Sequence, residues 1–336
     1  KTKVVSPRDN PRFAFCRHLD RMGDSMRIVL FGTSAFAVPV LEAVAASGHD
    51  IVRCISQPDR PQGRGLKPQP SPVKLAAQRV GCPCEEPADL RETGEALRQL
   101  RPDAGVVVAY GRLIPHELFT VPRLGMLGVH PSLLPRYRGA SPMAWAILRG
   151  ESVTGVTTFR LDDRLDAGDI AMQVTEPIQS HDTSATLSQR LAARGGDLLV
   201  ETLTGLERGA VTFRLQDEQL ATYARKLSKE DGRVDWTRAA VELDRLIRAM
   251  VPWPGSSTTW RGESLKLWSV TTGNDSMASG SPGQILAVDR EGIVGATGAG
   301  QVIVRELQLA GARRMSVRDF LRGHDLRVGD ILGQEA

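Results

Sequence analysis

Cysteine is scarce in this chain, and long apolar runs are missing from it. The four cysteines are Cys16, Cys54, Cys82 and Cys84. Cys82 and Cys84 are one residue apart with no histidine nearby, whereas zinc sites usually have wider spacing and four ligands. No apolar run reaches the roughly 18 residues that a membrane-spanning helix needs. We therefore expect free thiols, no metal ion and no transmembrane segment.

The glycine-rich signatures of nucleotide cofactors are also missing. Gly32-Thr33-Ser34 follows the first apolar run, but it lacks the GxGxxG spacing of a dinucleotide site. No P-loop lysine pattern occurs, and the GRG run at 63–65 lies in a loop instead of at a strand-to-helix turn. The sequence therefore argues against a dinucleotide or nucleoside triphosphate site.

Residues 1–25 stand apart from the remainder of the chain. They carry six basic and three acidic residues, which is three of the four net positive charges, so the remaining chain is nearly neutral. This stretch has no apolar core and does not read as a secretory signal. We expect a disordered leader or sequence upstream of a start at Met26, and a cytoplasmic protein. A transit peptide, which would make the protein organellar, is the alternative.

Alternating strand and helix signals fill the first part of the chain. They predict an α/β fold with a doubly wound sheet and a catalytic domain over 26–208. From about Gly209 the pattern changes to short, glycine-flanked strands, typical of a small β-barrel. We place a linker at 209–222 and a C-terminal domain at 223–334. The run at 56–72 is rich in proline, glycine and glutamine and is expected to hold no regular element.

Two polar residues are expected at strand ends where ligands bind in α/β sheets. His130 ends a short strand, and Asp166 follows a later strand in the run LDAG. A histidine there can exchange protons near neutral pH, and a nearby carboxylate can orient it. Both residues have plainer explanations, since a single histidine is more often structural and Asp-Gly runs favour turns. Spacing alone leaves the pair as a hypothesis.

The runs HPSLLPRYRGASP and LDAGDI resemble the signatures of the folate-dependent formyltransferases. The resemblance extends from about Met26 to Gly333. Blocks in both domains are similar to the branch of the family that formylates initiator Met-tRNA: QPDRPQGRG, PSPVK, VVAYGRLIP, YARKLSKEDGRVDW and IRAMVPWPG. The resemblance implies a Rossmann-like formyltransferase domain followed by a small β-barrel domain that resembles an OB fold and binds tRNA. It also implies transfer of the formyl group of 10-formyltetrahydrofolate, the co-substrate, to the methionine amino group, in support of translation initiation.

The same resemblance assigns site residues. The run Ser132-Leu133-Leu134-Pro135 matches the family's folate-binding segment, and His130 and Asp166 match two members of its catalytic trio. The third member is an asparagine two residues before the histidine, where this chain has Gly128. Loss of one oxyanion donor costs on the order of 10²–10³ in rate. We therefore expect a slow or inactive enzyme unless another donor compensates.

The loop at 56–72 resembles the family's tRNA-contacting loop. The resemblance implies that Arg60, Arg64 and Lys67 contact the tRNA, with Arg64 at the acceptor end. With Lys74 and Arg79 they stand against a single acid, Asp59, between 57 and 79, the kind of local charge that phosphate contacts need. A solvated mobile loop is the alternative. Acidic and basic residues are equal in number, sixteen each, over 216–336, so an RNA-binding face there depends on arrangement.

Two further functions remain open at this stage. One is a formyltransferase or hydrolase acting on a small amine or on water. The other is a folate- or tRNA-binding protein that has lost catalysis through Gly128. We expect the protein to act as a monomer, with no membrane partner.

Overall fold

The N-terminal part of the chain alternates strands and helices, as predicted. The computed structural model describes residues 25–62, 67–273 and 280–334, without the side chains of Gln62 and Lys67. Within these ranges, the N-terminal part has fourteen helices and strands and two short 3-10 helices, at Leu90–Thr93 and His116–Leu118. Residues 1–24 of the leader, which include Cys16, lie outside the described residues. The elements are β1 (Arg27–Gly32), α1 (Ala37–Ala46), β2 (Asp50–Ile55), β3 (Arg60–Gln62), β4 (Lys67–Gln69), α2 (Pro72–Val80), β5 (Cys84–Glu85), α3 (Gly94–Gln99), β6 (Ala104–Val108), β7 (Met126–His130), α4 (Pro142–Leu148), β8 (Val153–Arg160), β9 (Ile170–Pro177) and α5 (Ser184–Glu207).

A seven-stranded sheet of order β5-β2-β1-β6-β7-β8-β9 forms the centre of this domain. The first five strands in that order are parallel. β8 pairs antiparallel with β7, and β9 pairs antiparallel with β8, so β8 alone runs against the other strands of this sheet. Since β2, β1, β6 and β7 run the same way, their carboxyl ends meet at one edge, where ligands bind in sheets of this kind.

Both faces of the sheet are buried, which explains the continuous apolar runs in β1 and β6. Alternate residues of β1 point to opposite faces: Ile28 and Leu30 pack in the core with α1 and α5, whereas Val29 and Phe31 pack with Leu97 of α3. The Rossmann-like fold that the resemblance implied is therefore confirmed.

Helix α5 passes through a pair of glycines. In the sequence, Gly195 and Gly196 predict a break in an otherwise helical stretch at 183–207, but α5 continues without interruption from Ser184 to Glu207. The glycines serve close packing. A Cβ at position 196 would lie 2.8 Å from the Cβ of Ala43 and 3.1 Å from the carbonyl oxygen of Pro39, so α1 and α5 can approach only because no side chain stands there. Packing thus outweighs the low helix propensity of glycine.

The expectation that the run at 56–72 holds no regular element is wrong. Strands β3 and β4 form an antiparallel hairpin in which Arg60 lies opposite Gln69 and Pro61 lies opposite Pro68. Proline is tolerated in this position because a two-stranded hairpin consists of edges alone. In the sequence, Ser141 followed by Pro142 predicts the start of a helix. Ser141 does precede α4, but its side chain makes no capping hydrogen bond.

The C-terminal part is an antiparallel β-domain. Its elements are α6 (Ala240–Ala249), β10 (Ser256–Trp260), β11 (Glu263–Thr272), β12 (Ile285–Val288), β13 (Ile293–Ala296), β14 (Gln301–Leu309), β15 (Met315–Ser316) and α7 (Val317–Phe320), with 3-10 helices at Glu218–Leu220 and Glu230–Gly232. The sheet has the order β10-β11-β14-β13-β12, with β15 added to β14. Isolated bridges join Trp260 to Leu332 and Gln284 to Ile331, so residues 331 and 332 link the two edges of the sheet in the manner of the expected small barrel.

Helix α6 lies between the barrel and the α/β domain. Its buried face, which includes Leu243 and Leu246, belongs to the same apolar core as α1 and α5. Arg248 of α6 donates a hydrogen bond of 2.9 Å to the carbonyl oxygen of Asp182, and Ser184 donates one of 2.6 Å to the carbonyl oxygen of Ala249. No helix within the described ranges is long and apolar enough to span a membrane.

Candidate active site

His130 is the last residue of β7 and lies at the carboxyl edge of the sheet. Its side chain is buried, and its Nε2 is 2.9 Å from the carbonyl oxygen of Tyr137. Because a carbonyl oxygen can only accept, Nε2 carries the proton in the neutral ring. The other ring nitrogen, Nδ1, is 3.6 Å from Oδ2 of Asp166. The structure thus brings together the two residues that spacing alone left as a hypothesis.

Asp166 is held in an unusual backbone conformation. Its φ is 51°, in the left-handed region that non-glycine residues seldom adopt. Its Oδ2 accepts a hydrogen bond of 2.7 Å from the backbone N–H of Gly139. Gly168 allows the loop to close, because a Cβ there would lie 1.8 Å from the carbonyl oxygen of Arg160. The carboxylate is therefore fixed by its loop and aimed at the histidine, which a simple turn would not require.

The predicted folate segment begins directly after His130. Ser132 is fully buried and donates a hydrogen bond of 2.6 Å to the carbonyl oxygen of Arg136. The N–H of Leu134 donates to the hydroxyl of Thr157 at 3.1 Å, and its carbonyl oxygen accepts from Gln173 at 2.9 Å. With these groups satisfied internally, the segment presents the partly exposed side chains of Leu133 and Pro135, which suit an apolar part of a ligand.

Gly128 has no room above it for a side chain. In the antiparallel pairing of β7 with β8 it lies opposite Phe159, whose ring leans over it. A Cβ at position 128 would lie 2.3 Å from Cε1 and 2.5 Å from Cζ of that ring, and 3.0 Å from Cδ1 of Leu161. Phe159 is 5% exposed and packs against Leu134 and Ile170. An aromatic ring therefore occupies the volume that a side chain at position 128 would need.

Sequence reasoning missed Phe159. A lone phenylalanine in a strand is ordinary core composition, and only the register between β7 and β8 places it over Gly128. The switch from parallel to antiparallel pairing at β8 has no signal in the residues of β8 itself.

Two of the predicted tRNA residues, Arg60 and Lys67, lie on the strands of the β3–β4 hairpin. Arg60 is exposed and its guanidinium contacts the side-chain oxygen of Gln57. The backbone of Lys67 pairs with Gln62, and Arg64 lies outside the described residues. The base of the hairpin is tied to the sheet, because the N–H of Gln57 donates to the hydroxyl of Thr33 at 3.3 Å. The hairpin follows β2 and so starts from the same edge that carries His130.

Two cations counted with this loop are already paired. Lys74 forms ion pairs with Asp59, at 3.0 Å, and with Glu86. Hydrogen bonds with Glu86 and then Asp59 raise the pKa of Lys74. Arg79 pairs with Glu42 at 2.8 Å. The expected excess of positive charge is therefore smaller than the sequence count suggested. Within the described ranges, no group of three or more His, Cys, Asp or Glu residues is placed to hold a metal ion.

Comparison with known proteins places this geometry in a family. Residues 26–203 match the protein family described as formyl transferase, and residues 226–325 match the family described as formyl transferase, C-terminal domain. The methionyl-tRNA formyltransferase of Pelotomaculum thermopropionicum is 42% identical over 92% of this chain and 99% of its own length. That of Magnetococcus marinus is 43% identical over 92% of this chain and 98% of its own length.

Solved structures share the fold at lower identity. HypX from Aquifex aeolicus in complex with tetrahydrofolic acid has a TM-score of 0.64 and 21% identity, covering 89% of this chain and 47% of its own. A Helicobacter canadensis N-formyltransferase has a TM-score of 0.63 and 17% identity, covering 87% of this chain and all of its own. Family identity rests on the domain matches and the close relatives: the chain belongs to the formyl transferase family, among the methionyl-tRNA formyltransferases.

Proposed function

We propose that this enzyme transfers the formyl group of 10-formyltetrahydrofolate to the methionine amino group of initiator Met-tRNA. The observation that carries the proposal is the pair formed by the buried His130 and the partly buried Asp166 at the carboxyl edge of the sheet, next to the Ser132–Pro135 segment. It is supported by relatives of that name, which match this chain over both domains.

The reaction is an acyl transfer between two nitrogen atoms. The neutral methionine amine attacks the formyl carbon, an oxyanion develops, the bond from carbon to N10 of the folate breaks, and N10 gains the proton that the amine loses. Asp166 is the group that would accept the amine proton. Nδ1 of His130 carries no proton in the neutral ring and faces Oδ2 of Asp166, so it would take up the amine proton from Asp166. The protonated Nδ1 would then stabilise the oxyanion as a donor and deliver the proton to N10.

Binding of the two substrates would use different parts of the carboxyl edge. The Ser132–Pro135 segment would hold the folate through Leu133 and Pro135, because the hydroxyl of Ser132 and the backbone groups of Leu134 are already hydrogen-bonded within the protein. Arg60, Arg64 and Lys67, on and between the strands of the hairpin, would contact the tRNA by phosphate interactions. The C-terminal domain would add RNA contacts, and we propose that the protein acts as a monomer.

The rate of the enzyme is the finer part of the proposal. Glycine at position 128 supplies no hydrogen bond to the formyl oxygen, and the ring of Phe159 cannot supply one either. We expect formylation to be slower than with an additional donor, by up to about 10²–10³.

The test is formylation of charged initiator tRNA with 10-formyltetrahydrofolate, comparing the protein with Asp166→Asn. We expect measurable turnover by the parent and a loss of at least about 100-fold in the variant, with both proteins equally folded. Folate and tRNA binding should be titrated in parallel. Tight binding of both without turnover would reject catalysis and favour a binding protein. Turnover with small amines but not with tRNA would reject the substrate.

A further inference from the structure

The segment between the two domains contacts both loops that carry the candidate catalytic pair. On one side, Arg214 and Ile170 exchange backbone hydrogen bonds of 2.8 and 2.9 Å, directly after the Asp166 loop. On the other side, the hydroxyl of Thr222 accepts from the N–H of Tyr137 at 2.8 Å, and its carbonyl oxygen accepts from the N–H of Arg138 at 2.8 Å. The segment therefore bridges the two loops and is more than a connection.

Gln216 lies in the middle of this segment and is 9% exposed. Its Nε2 donates to the carbonyl oxygen of Asp166 at 2.9 Å and to that of Gly168 at 2.7 Å. Its Oε1 accepts from Nε and Nη2 of Arg138, at 3.0 and 2.8 Å. A guanidinium only donates and carbonyl oxygens only accept, so these partners determine the positions of Oε1 and Nε2 in the Gln216 amide.

These contacts constrain the backbone that sets the direction of the Asp166 carboxylate. A residue with φ of 51° is strained and persists only where its surroundings hold it. The two bonds from Gln216 hold the carbonyl groups of Asp166 and Gly168, on either side of Ala167. They thereby oppose rotation of the loop away from the position in which Oδ2 is 3.6 Å from Nδ1 of His130.

The partner of Gln216 belongs to the other catalytic loop. Arg138 is 2% exposed and also binds Glu218, with Nη1 to Oε2 at 2.8 Å. Its neighbours in the chain make the contacts that fix the pair: the carbonyl oxygen of Tyr137 binds His130, and the N–H of Gly139 binds Asp166. One buried arginine–glutamine contact therefore couples the loop that fixes the histidine to the loop that carries the carboxylate.

We propose that Gln216 is a positioning residue for catalysis, acting through the backbone of Asp166. The inference rests on the proposed function, because it concerns the same pair of residues. It assigns a role in the reaction to a segment that lies outside the matched ranges 26–203 and 226–325.

Replacement of Gln216 by glutamate tests this role in the full-length protein. Gln216→Glu keeps an oxygen for Arg138 but places a second oxygen against two carbonyl groups that need donors. We expect kcat for formylation to fall about tenfold or more, with KM for Met-tRNA and for the folate within about twofold of the parent. We also expect an altered pH–rate profile, since proton exchange between His130 and Asp166 depends on their separation.

Matched variants separate positioning from general stability. Gln219→Glu makes the same chemical change at an exposed position of the same segment and should leave kcat unchanged. Gln216→Met removes the two N–H donors without adding charge and should lower kcat as Gln216→Glu does, which keeps the test usable where the glutamate variant folds poorly. A kcat within about twofold of the parent in a folded Gln216 variant, with an unchanged pH profile, would overturn the proposal.

The unliganded protein gives a readout that does not depend on turnover. The ring resonances of His130 in nuclear magnetic resonance spectra should move between the parent and Gln216→Glu, while those of the other histidines stay in place. A parent that gives no formylation with Met-tRNA refutes the proposed function, and the positioning role is then judged by these resonances alone. Unmoved His130 resonances would refute the positioning role even with an active parent.

Discussion

Gly128→Asn is the substitution for which the structure gives the most detailed prediction. The resemblance noted in the sequence predicts that Gly128→Asn gains an oxyanion donor and raises the rate. The structure predicts otherwise for the single variant, because its Cβ would lie 2.3 Å from Cε1 of Phe159, well inside van der Waals contact. The ring cannot turn freely away, since it is 5% exposed and packed against Leu134 and Ile170.

The expected magnitudes follow from that packing. Forcing extra atoms into a filled core costs about 1–3 kcal/mol, so Gly128→Asn alone should lower the free energy of unfolding by that amount. Its formylation rate should not rise. Phe159→Val removes most of the ring at a cost below the about 3–5 kcal/mol of full truncation to alanine. In Gly128→Asn/Phe159→Val the asparagine fills part of the space that the ring has left. The double variant should therefore lose less free energy of unfolding than the sum of the losses in the two single variants.

The assay is a double-mutant cycle of four proteins: the parent, each single variant and the double variant. Initial rates of Met-tRNA formylation at saturating folate give kcat and kcat/KM, and urea denaturation gives stability. We expect the double variant to be at least about tenfold faster than Gly128→Asn alone, out of the about 10²–10³ that one oxyanion donor can contribute.

Two results would refute this reasoning in different ways. A Gly128→Asn variant that is as stable as the parent and about tenfold faster would show that the ring of Phe159 can move aside at little cost in stability. A stable double variant that is no faster than the parent would show that a donor at position 128 is not what limits the rate, and that another group already serves the oxyanion.

Two further predictions concern the hairpin and the ion pair of Arg225 with Asp231 in the C-terminal domain. Arg60→Glu should raise KM for tRNA about tenfold, reduce the salt dependence of tRNA binding and leave KM for the folate unchanged, whereas Arg79→Glu, whose parent side chain is paired with Glu42, should have a smaller effect. The hydrogen bond with Arg225 lowers the pKa of Asp231 from 3.8 to about 2, so the stabilisation is present above pH of about 4 and is lost as the pH falls towards 2. In urea denaturation over that interval, the parent should lose more stability than Asp231→Asn, and equal losses would contradict this assignment.

Much of the fold could be predicted because its signals are local. The apolar runs of β1 and β6 are buried on both faces, and they stand out in the sequence without any knowledge of their neighbours. The continuous α5 and the β3–β4 hairpin could not be predicted in the same way. In the first, Gly195 and Gly196 read as a break until the surface of α1 is placed against them. In the second, two prolines are permitted only because the hairpin has no inner strand.

The candidate site also contains some residues that have local sequence signals and others that do not. His130, Asp166 and the Ser132–Pro135 segment follow from runs of sequence that also resemble a family. Gln216 is separated from Asp166 by 50 positions and reaches it only through the folded segment between the domains. A glutamine in a polar stretch carries no signal of burial, so its contact with the catalytic loop is visible only in the folded structure.

Gly128 and Phe159 are best understood as one feature that happens to be split between two strands. Directly opposite residues of an antiparallel pair point to the same face of the sheet, so their side chains compete for one volume. A polar side chain at 128 requires a residue at 159 that leaves room for it, and a large ring at 159 requires glycine at 128. Aligned relatives should therefore show these two positions changing together: glycine with a ring, and asparagine with a smaller or more flexible side chain. If many relatives carry both asparagine at 128 and phenylalanine at 159, the two side chains can be packed together, and the packing argument for this site fails.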